Sequence, residues 1–250
     1  MTTIPATTRR SPGAAGWLRI ALGMVAAAVA ALLLLAAVRI VPLLLAPNDY
    51  EGVRSIELRT DYRAPALMER AWALPVARAY RAGGYEYQGN PSFCGPASVA
   101  NLLQSLGAAV DQQAVIEGTA YDPWFGVLLG GLTIDELADL VSRRLGRPAR
   151  IVRDPDLADF RAWLKRSNRP DTRMIVNFHR GPLFGRGHGH FSPVLGYLEA
   201  EDLVLVGDVN ADYRPFLVRS ETLWRGTDTI DAETGLERGL IVVDGKRRRA

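Results

Sequence analysis

Residues 20–38 limit what this chain can fold into more than any other feature. These 19 residues hold no charge and are mostly Ala, Leu and Val. A helix of that length spans the hydrocarbon core of a bilayer, so the parts before and after it must be read separately. Residues 1–16 are small, polar and basic through Arg9 and Arg10, which predicts a disordered, cytoplasmic N-terminus. Residues 17–46 predict a transmembrane anchor, with Arg19 and Arg39 bracketing the apolar run and reaching the headgroups. A cleaved signal peptide is the competing reading, because small residues such as Ala36 and Ala37 offer cleavage points. Three arginines and no acids precede the run, which predicts a domain on the periplasmic or extracellular face.

The net charge of +3 hides two basic ends. Residues 1–46 carry four arginines and the tail Lys246-Arg247-Arg248-Arg249 four more cations, which leaves 22 basic against 27 acidic residues, about −5, for the part between. A mildly acidic domain does not make a nucleic-acid footprint, and no nucleic-acid partner is expected. The tail, 246–250, reads as a solvated end. With 48% hydrophobic residues, the stretch 47–245 can bury one substantial core, and its single cysteine excludes an internal disulfide framework.

Helical signals dominate the first half of that stretch. An apolar segment over 66–79 is interrupted by Pro75. Residues 94–106 place Val99, Leu102, Leu103 and Leu106 on one face, and Gly107 suits the C-terminal cap. Asp111 to Glu117 reads as a short helix, and Tyr121 to Gly131, with Trp124 and Phe125, as an aromatic, glycine-rich loop. Thr133 and Glu136 form a capping box opening a helix that Gly146 closes, and a further helix begins at Asp156. After residue 171 the pattern changes to short apolar runs at 174–178, 191–198, 203–209 and 240–243, separated by turn residues. Helices first and strands second predict an α+β domain with a cleft between a helical layer and an antiparallel sheet.

Cys94 sits where a turn at Asn90 and Pro91 becomes a helix. Orphan N–H groups and the helix dipole there favour thiolate over thiol; a buried structural cysteine is the bland alternative. His179, His188 and His190 all fall within twelve residues. They suggest a metal site, but no HExxH or CxxC accompanies them. A hairpin turning at 199–202 brings Asp208 near His190, so that Cys94, His190 and Asp208 can act as nucleophile, base and orienting acid. Gln88, six residues before Cys94, can join the Cys94 N–H as an oxyanion donor.

This Gln, Cys, His, Asp order is that of papain-like thiol enzymes. The segments Pro91-Ser-Phe-Cys-Gly-Pro-Ala-Ser98, Phe178-His-Arg-Gly181, Gly187-His-Gly-His-Phe-Ser-Pro-Val-Leu-Gly-Tyr197 and Gly207-Asp-Val209 closely resemble the catalytic domain of phytochelatin synthases. The likeness runs from Gln88 to Val243. It implies a papain-like fold and a glutathione γ-glutamylcysteinyltransferase, or a hydrolytic relative, with Cys94, His190, Asp208 and Gln88 in the roles above. Glutathione or a related γ-glutamyl peptide would be the substrate. No resident cofactor is implied; a heavy-metal ion such as Cd or Zn would enter as a glutathione thiolate. Pro91, Phe93, Gly95, Gly189, Arg180 and Arg214 are the substrate-binding candidates. The family's arginine three residues after the aspartate and acid four residues before the cysteine are here Ala211 and Asn90. Arg214, Arg180 or Arg186 would then supply the charge for a carboxylate. The cysteine-rich C-terminal domain of plant members has no counterpart here, so metal sensing through it is not expected. Two rivals stand beside this reading: an exported cysteine peptidase acting on another peptide, and a non-enzymatic module holding metal through His188, His190 and Cys94.

Overall fold

The computed structural model describes residues 14–45, 49–121, 123, 126–128 and 130–244. The N-terminal residues 1–13, the basic tail 246–250, and Trp124 and Phe125 of the aromatic loop lie outside the described residues. The chain divides into two units, Met1–Asn48 and Asp49–Ala250. The first holds α1 (Ala14–Leu45), within which Gly16–Val38 is long and apolar enough to cross a membrane. Its side chains from 17 to 38 are exposed although mostly apolar. A membrane anchor and a signal sequence both answer to that description.

In the second unit each helix starts where its sequence signal lies. Helices α2 (Pro65–Trp72) and α3 (Pro75–Gly83) both open on a proline, whose missing N–H costs no hydrogen bond in a first turn. Pro75 therefore starts a new helix rather than kinking one. Helix α4 (Cys94–Gln104) carries the cysteine as its first residue. Asp111 caps α5 (Gln112–Ile116) by accepting the Ala114 N–H at 2.8 Å. Thr133 and Glu136 make the reciprocal capping box of α6 (Ile134–Leu145), which ends on Gly146 at φ 62°. Asp156 caps α7 (Leu157–Arg166) through the Asp159 N–H.

The strands are β1 (Arg150–Arg153), β2 (Thr172–His179), β3 (Gly189–Leu198), β4 (Leu203–Val206), β5 (Phe216–Arg219) and β6 (Gly239–Asp244). They form one antiparallel sheet in the order β1-β6-β2-β3-β4-β5. Two short helices, α8 (Gly181–Phe184) and α9 (Ser220–Thr227), complete the unit.

The α+β class read from the sequence holds, with one addition. Helices cover both faces of the sheet. Met174, Val176 and Phe178 of β2 pack with Phe160, Leu164, Leu183 and Leu223 from α7, α8 and α9. Ile175, Phe191, Ile241 and Val243 pack on the opposite face against α4, α5 and α6. Leu195, Leu203, Leu205 and Leu217 meet α2 and α3. Successive strand residues thus enter opposite cores, which is why these strands read as continuous apolar runs instead of alternating ones. Each fully buried Leu, Val or Phe contributes about 1.5–3 kcal/mol.

The hairpin β3–β4 turns at 199–202 with Asp202 at φ 53°. It pairs Leu198 with Leu203 and Gly196 with Leu205, then slips by one residue to pair Val194 with Val206. The slip is a bulge at Leu195. Beyond it, the Gly207 N–H donates to the Pro193 carbonyl at 2.8 Å, which carries the chain on into Asp208.

The far end of α4 is fixed by Arg173, a buried cation on β2. It donates to the Ser105 hydroxyl at 2.7 Å and the Ser105 carbonyl at 3.1 Å, and also to the Pro170 and Thr172 carbonyls. A cation at a helix C-terminus is favoured by the dipole and satisfies carbonyls that lack an intrahelical partner. Replacing Arg173 by methionine leaves those acceptors buried and unpaired. The expected loss is about 2 kcal/mol, read as a lower urea midpoint for the detergent-solubilised chain.

Candidate active site

The site lies where the N-terminus of α4 meets the start of β3 and the chain leaving β4. Phe93 occupies the N-cap of α4 and has no side-chain acceptor to offer. The first-turn N–H groups of α4 therefore carry no side-chain cap beside the Cys94 sulfur. Cys94 is partly exposed, the one arrangement that suits a thiol which must meet a ligand. Its side chain lies next to His190 and the Phe191 backbone, both of which favour its thiolate.

His190 and Asp208 are 6% and 0% exposed. His190 Nε2 lies 3.1 Å from Asp208 Oδ1. Asp208 also accepts from Arg180 Nη2 at 2.9 and 2.8 Å and from the Asn210 N–H at 2.8 Å. Burial alone would push the Asp208 carboxyl up, but His190, Arg180 and the Asn210 N–H together hold it below the usual carboxylate range. A carboxylate can only accept, so the Nε2 of His190 carries a hydrogen and Nδ1 is left to face the sulfur. Burial would likewise push the Cys94 thiol up; the charge and hydrogen bond of His190, the Phe191 backbone and Arg180 bring it below its ordinary value. His190 is shifted the opposite way. Burial and Arg180 depress it, but Asp208 and Cys94 outweigh them and raise it. A depressed thiol beside a raised imidazole shifts the pair toward its thiolate–imidazolium form.

Gln88 is half-buried on a segment stitched to the site at several points. Its N–H donates to the Val209 carbonyl at 2.8 Å, one residue past Asp208, and its Nε2 donates to the Asn90 carbonyl at 3.0 Å. Asn101 of α4 accepts the Glu86 N–H and donates to the Glu86 carbonyl, so the same helix that carries Cys94 holds this segment. Tyr85 donates its hydroxyl to the Gly207 carbonyl. A side chain at Gly207 would meet that hydroxyl at 2.8 Å, so only glycine allows the approach.

The substrate-binding candidates separate once placed. Arg180 is corrected: it is 6% exposed, its Nη2 is committed to Asp208, and its guanidinium lies 3.9 Å from the Tyr213 ring centroid, so it faces inward instead of presenting charge to a ligand. Phe93 is buried in the core beneath α4. Gly95 is a packing position, because a Cβ there would meet Leu137 at 3.0 Å. Gly189 faces Arg238, whose Nη2 lies 2.7 Å from where a Cβ would stand. Pro91 is exposed beside the site, and Arg186 is exposed near Glu57. Arg214 lines a cavity with Tyr85 and Tyr87. Asn90, where the family often has an acid, organises the loop instead. Its Oδ1 accepts from the Ser92 N–H and hydroxyl, and its Nδ2 donates to the Gly126 carbonyl.

The three histidines do not converge. His188 is exposed, His190 is bound to Asp208, and His179 accepts the Gly181 N–H on Nδ1 while its ring stacks on Tyr50. Burial, with Arg238 and His188, pulls His179 down to about 4. Among the described residues, no three His, Cys, Asp or Glu side chains gather where one ion could be held.

The phytochelatin synthase family model matches residues 56–240. The chain belongs to this family. Relatives include glutathione gamma-glutamylcysteinyltransferase 3 of Lotus japonicus, 30% identical over 66% of this chain and 36% of that protein. Glutathione gamma-glutamylcysteinyltransferase 1 of Triticum aestivum is 32% identical over 64% of this chain and 34% of its own length. The chain thus spans about a third of the length of these curated relatives. Among solved structures, the peptidase domain of Streptococcus ComA covers 64% of this chain and 97% of its own, at 16% identity and a TM-score of 0.44. The peptidase domain of Streptococcus mutans ComA covers 65% and 98%, at 16% identity and a TM-score of 0.36.

Because Cys94 is the only cysteine, thiol alkylation reports on it alone. Iodoacetamide is expected to react rapidly at pH 6, below the ordinary thiol pKa of about 8.5, and to slow once acid protonates the depressed thiol. In His190→Ala the burial effect remains without its counterweight, so the alkylation midpoint moves upward. An unchanged midpoint would refute the pairing. Asp208→Asn leaves Arg180 buried and uncompensated, with an expected stability loss of about 3 kcal/mol, measured by chemical denaturation.

Proposed function

We propose that this chain cleaves the Cys–Gly amide of glutathione through a γ-glutamylcysteinyl thioester on Cys94. The observation that carries the reading is His190 held between the Cys94 sulfur and the Asp208 carboxylate, at the N-terminus of α4. Membership of a family whose relatives are named for glutathione γ-glutamylcysteinyl transfer supports the substrate.

In the first half-reaction the Cys94 thiolate attacks the carbonyl of the substrate cysteine. A C–S bond forms, the C–N bond to glycine breaks, and His190 delivers its proton to the departing amine. Asp208 keeps the imidazole oriented and stabilises its charged form. The Cys94 N–H and the Gln88 side-chain amide supply the developing oxyanion with donors. In the second half-reaction the amine of another glutathione, or water, gives its proton to His190 as it attacks the thioester. The new C–N or C–O bond forms, the C–S bond breaks, and the thiolate–imidazolium pair returns. The products are a phytochelatin or γ-glutamylcysteine. Cd²⁺ or Zn²⁺ enters as a glutathione thiolate, hence as part of the substrate. Supported by the arginines preceding α1, the domain works outside the cytoplasm.

The test is the detergent-solubilised chain incubated with glutathione, with and without Cd²⁺ or Zn²⁺, and products read by mass. Glycine release together with γ-glutamylcysteine or its oligomers is expected, and Cys94→Ala abolishes it. Gln88→Ala lowers kcat by about 10²-fold with little change in KM, the cost of one oxyanion donor. Absence of every product from protein whose Cys94 alkylates rapidly would sink the reading.

A further inference from the structure

A cavity of about 450 Å³ has a lining that includes Arg63, Arg81 and Arg214 with Trp72, Tyr85 and Tyr87. Its size falls within the range of small-ligand sites. A larger hollow, about 800 Å³, sits at the opposite end of α4 from Cys94 among Gly83, Gln104, Ser105, Gly107 and Asp111, with no cation in its lining.

The lining of the smaller cavity holds three arginines and no acid. Elsewhere in this unit arginines such as Arg59, Arg161 and Arg166 pair with Asp61, Asp202 and Asp244. Among the described residues Arg63, Arg81 and Arg214 have no acidic partner within ion-pair distance. Two are nonetheless held in place. Arg81 lies 4.5 Å from the Trp72 ring centroid, and the Nε of Arg63 donates to the Pro215 carbonyl at 3.4 Å. Arg214 follows a turn closed by its own N–H on the Asn210 carbonyl and sits at φ 50°, a conformation that glycine or asparagine takes more readily. Three guanidinium groups without counter-charge around one cavity make a receptor for a ligand carrying more than one carboxylate, because the planar fork matches that group.

The aromatic residues narrow the ligand. The Trp72 face is occupied by Arg81, and Tyr85 meets Tyr87 edge-on, with ring planes at 76°. No parallel pair is left to sandwich a flat base, which disfavours a nucleotide and suits a short, flexible peptide. The position narrows it further. Tyr87 is the residue before Gln88, and Tyr85 closes on the carbonyl of Gly207, the residue before Asp208.

We propose that the Arg63–Arg81–Arg214 cavity binds the carboxylates of the acceptor γ-glutamyl peptide and holds it for attack on the thioester. The assignment rests on the function proposed above, and the experiment keeps the two apart. The cavity takes over the charge recognition that Ala211 and the inward-facing Arg180 do not provide. Donor hydrolysis needs only water in the second step and is independent of these arginines.

The first arm needs no turnover. The full chain, with Cys94 blocked by iodoacetamide in detergent, is titrated with S-methylglutathione by calorimetry. Binding is expected, at least tenfold weaker in Arg63→Gln/Arg81→Gln and absent for the peptide with both carboxylates converted to amides. Equal affinity in the variant, or for the diamide, overturns the assignment. The second arm follows glutathione turnover by the unblocked chain. The ratio of transfer to hydrolysis should fall at least tenfold in the same variant, while hydrolysis and the Cys94 alkylation rate stay at their original values. Equal losses of transfer and hydrolysis, or none, also overturn it. Arginine-dependent binding without any turnover would keep the cavity as a peptide site and reject the catalytic reading. Turnover without arginine-dependent binding would do the reverse.

Discussion

The site depends on one buried pairing, the Arg180–Asp208 contact behind His190. Asp208 is fully enclosed, and a carboxylate there would normally take up a proton. Arg180, itself almost completely buried, prevents that, and the Asn210 N–H assists. Only because Asp208 stays charged can it hold the imidazole in one tautomer and favour its protonated form. Cys94, His190, Asp208 and Arg180 then form a cluster whose two anions and two cations cancel. Removing Asp208 or Arg180 leaves the other's charge buried and unpaired, so stability and reactivity are coupled at these two positions.

Much of this was legible in the sequence, for identifiable reasons. Caps state helix starts directly, and Asp111, Thr133 and Asp156 all open helices as read. The long apolar runs gave β2, β3, β4 and β6. The edge strand β1 escaped notice because Arg150-Ile-Val-Arg153 offers two apolar residues between two charges and pairs only with β6. β5 is four residues long and follows a proline directly. The second helical layer was hidden because strands buried on both faces look the same whichever helices cover them. His190 and Asp208 could be paired from the hairpin alone. Arg180 could not be placed: nothing local says that an arginine after His179 turns inward, and its position follows from β2 pairing His179 with Gly189 beside His190.

The substrate-side positions are a different case. Gly95 and Phe93 flank Cys94 in sequence, but both serve the contact between α4 and the core under it. Asn90 likewise spends its side chain on the Ser92 and Gly126 backbone and the Ser92 hydroxyl. Proximity in sequence to Cys94 thus mixes scaffolding with recognition. Only burial and partners separate the two.

The bulge at Leu195 has a meaning that its local geometry conceals. Along a strand, side chains alternate like odd and even numbers, and a paired strand inherits that parity. Tyr197 and Val204 share one face, and below the bulge so do Val194, Val206 and the pairing partner of Phe178, His190. One extra residue exchanges odd for even between these levels. Without it, His190 would emerge on the face opposite Asp208, although Cys94, His190 and Asp208 would all still be present. In comparing relatives, an insertion or deletion of a single residue within β3, between positions 190 and 198, therefore says more about whether the site survives than many substitutions elsewhere. A change in the turn at 199–202 leaves the parity untouched, whereas a change in the count at Leu195 reverses it.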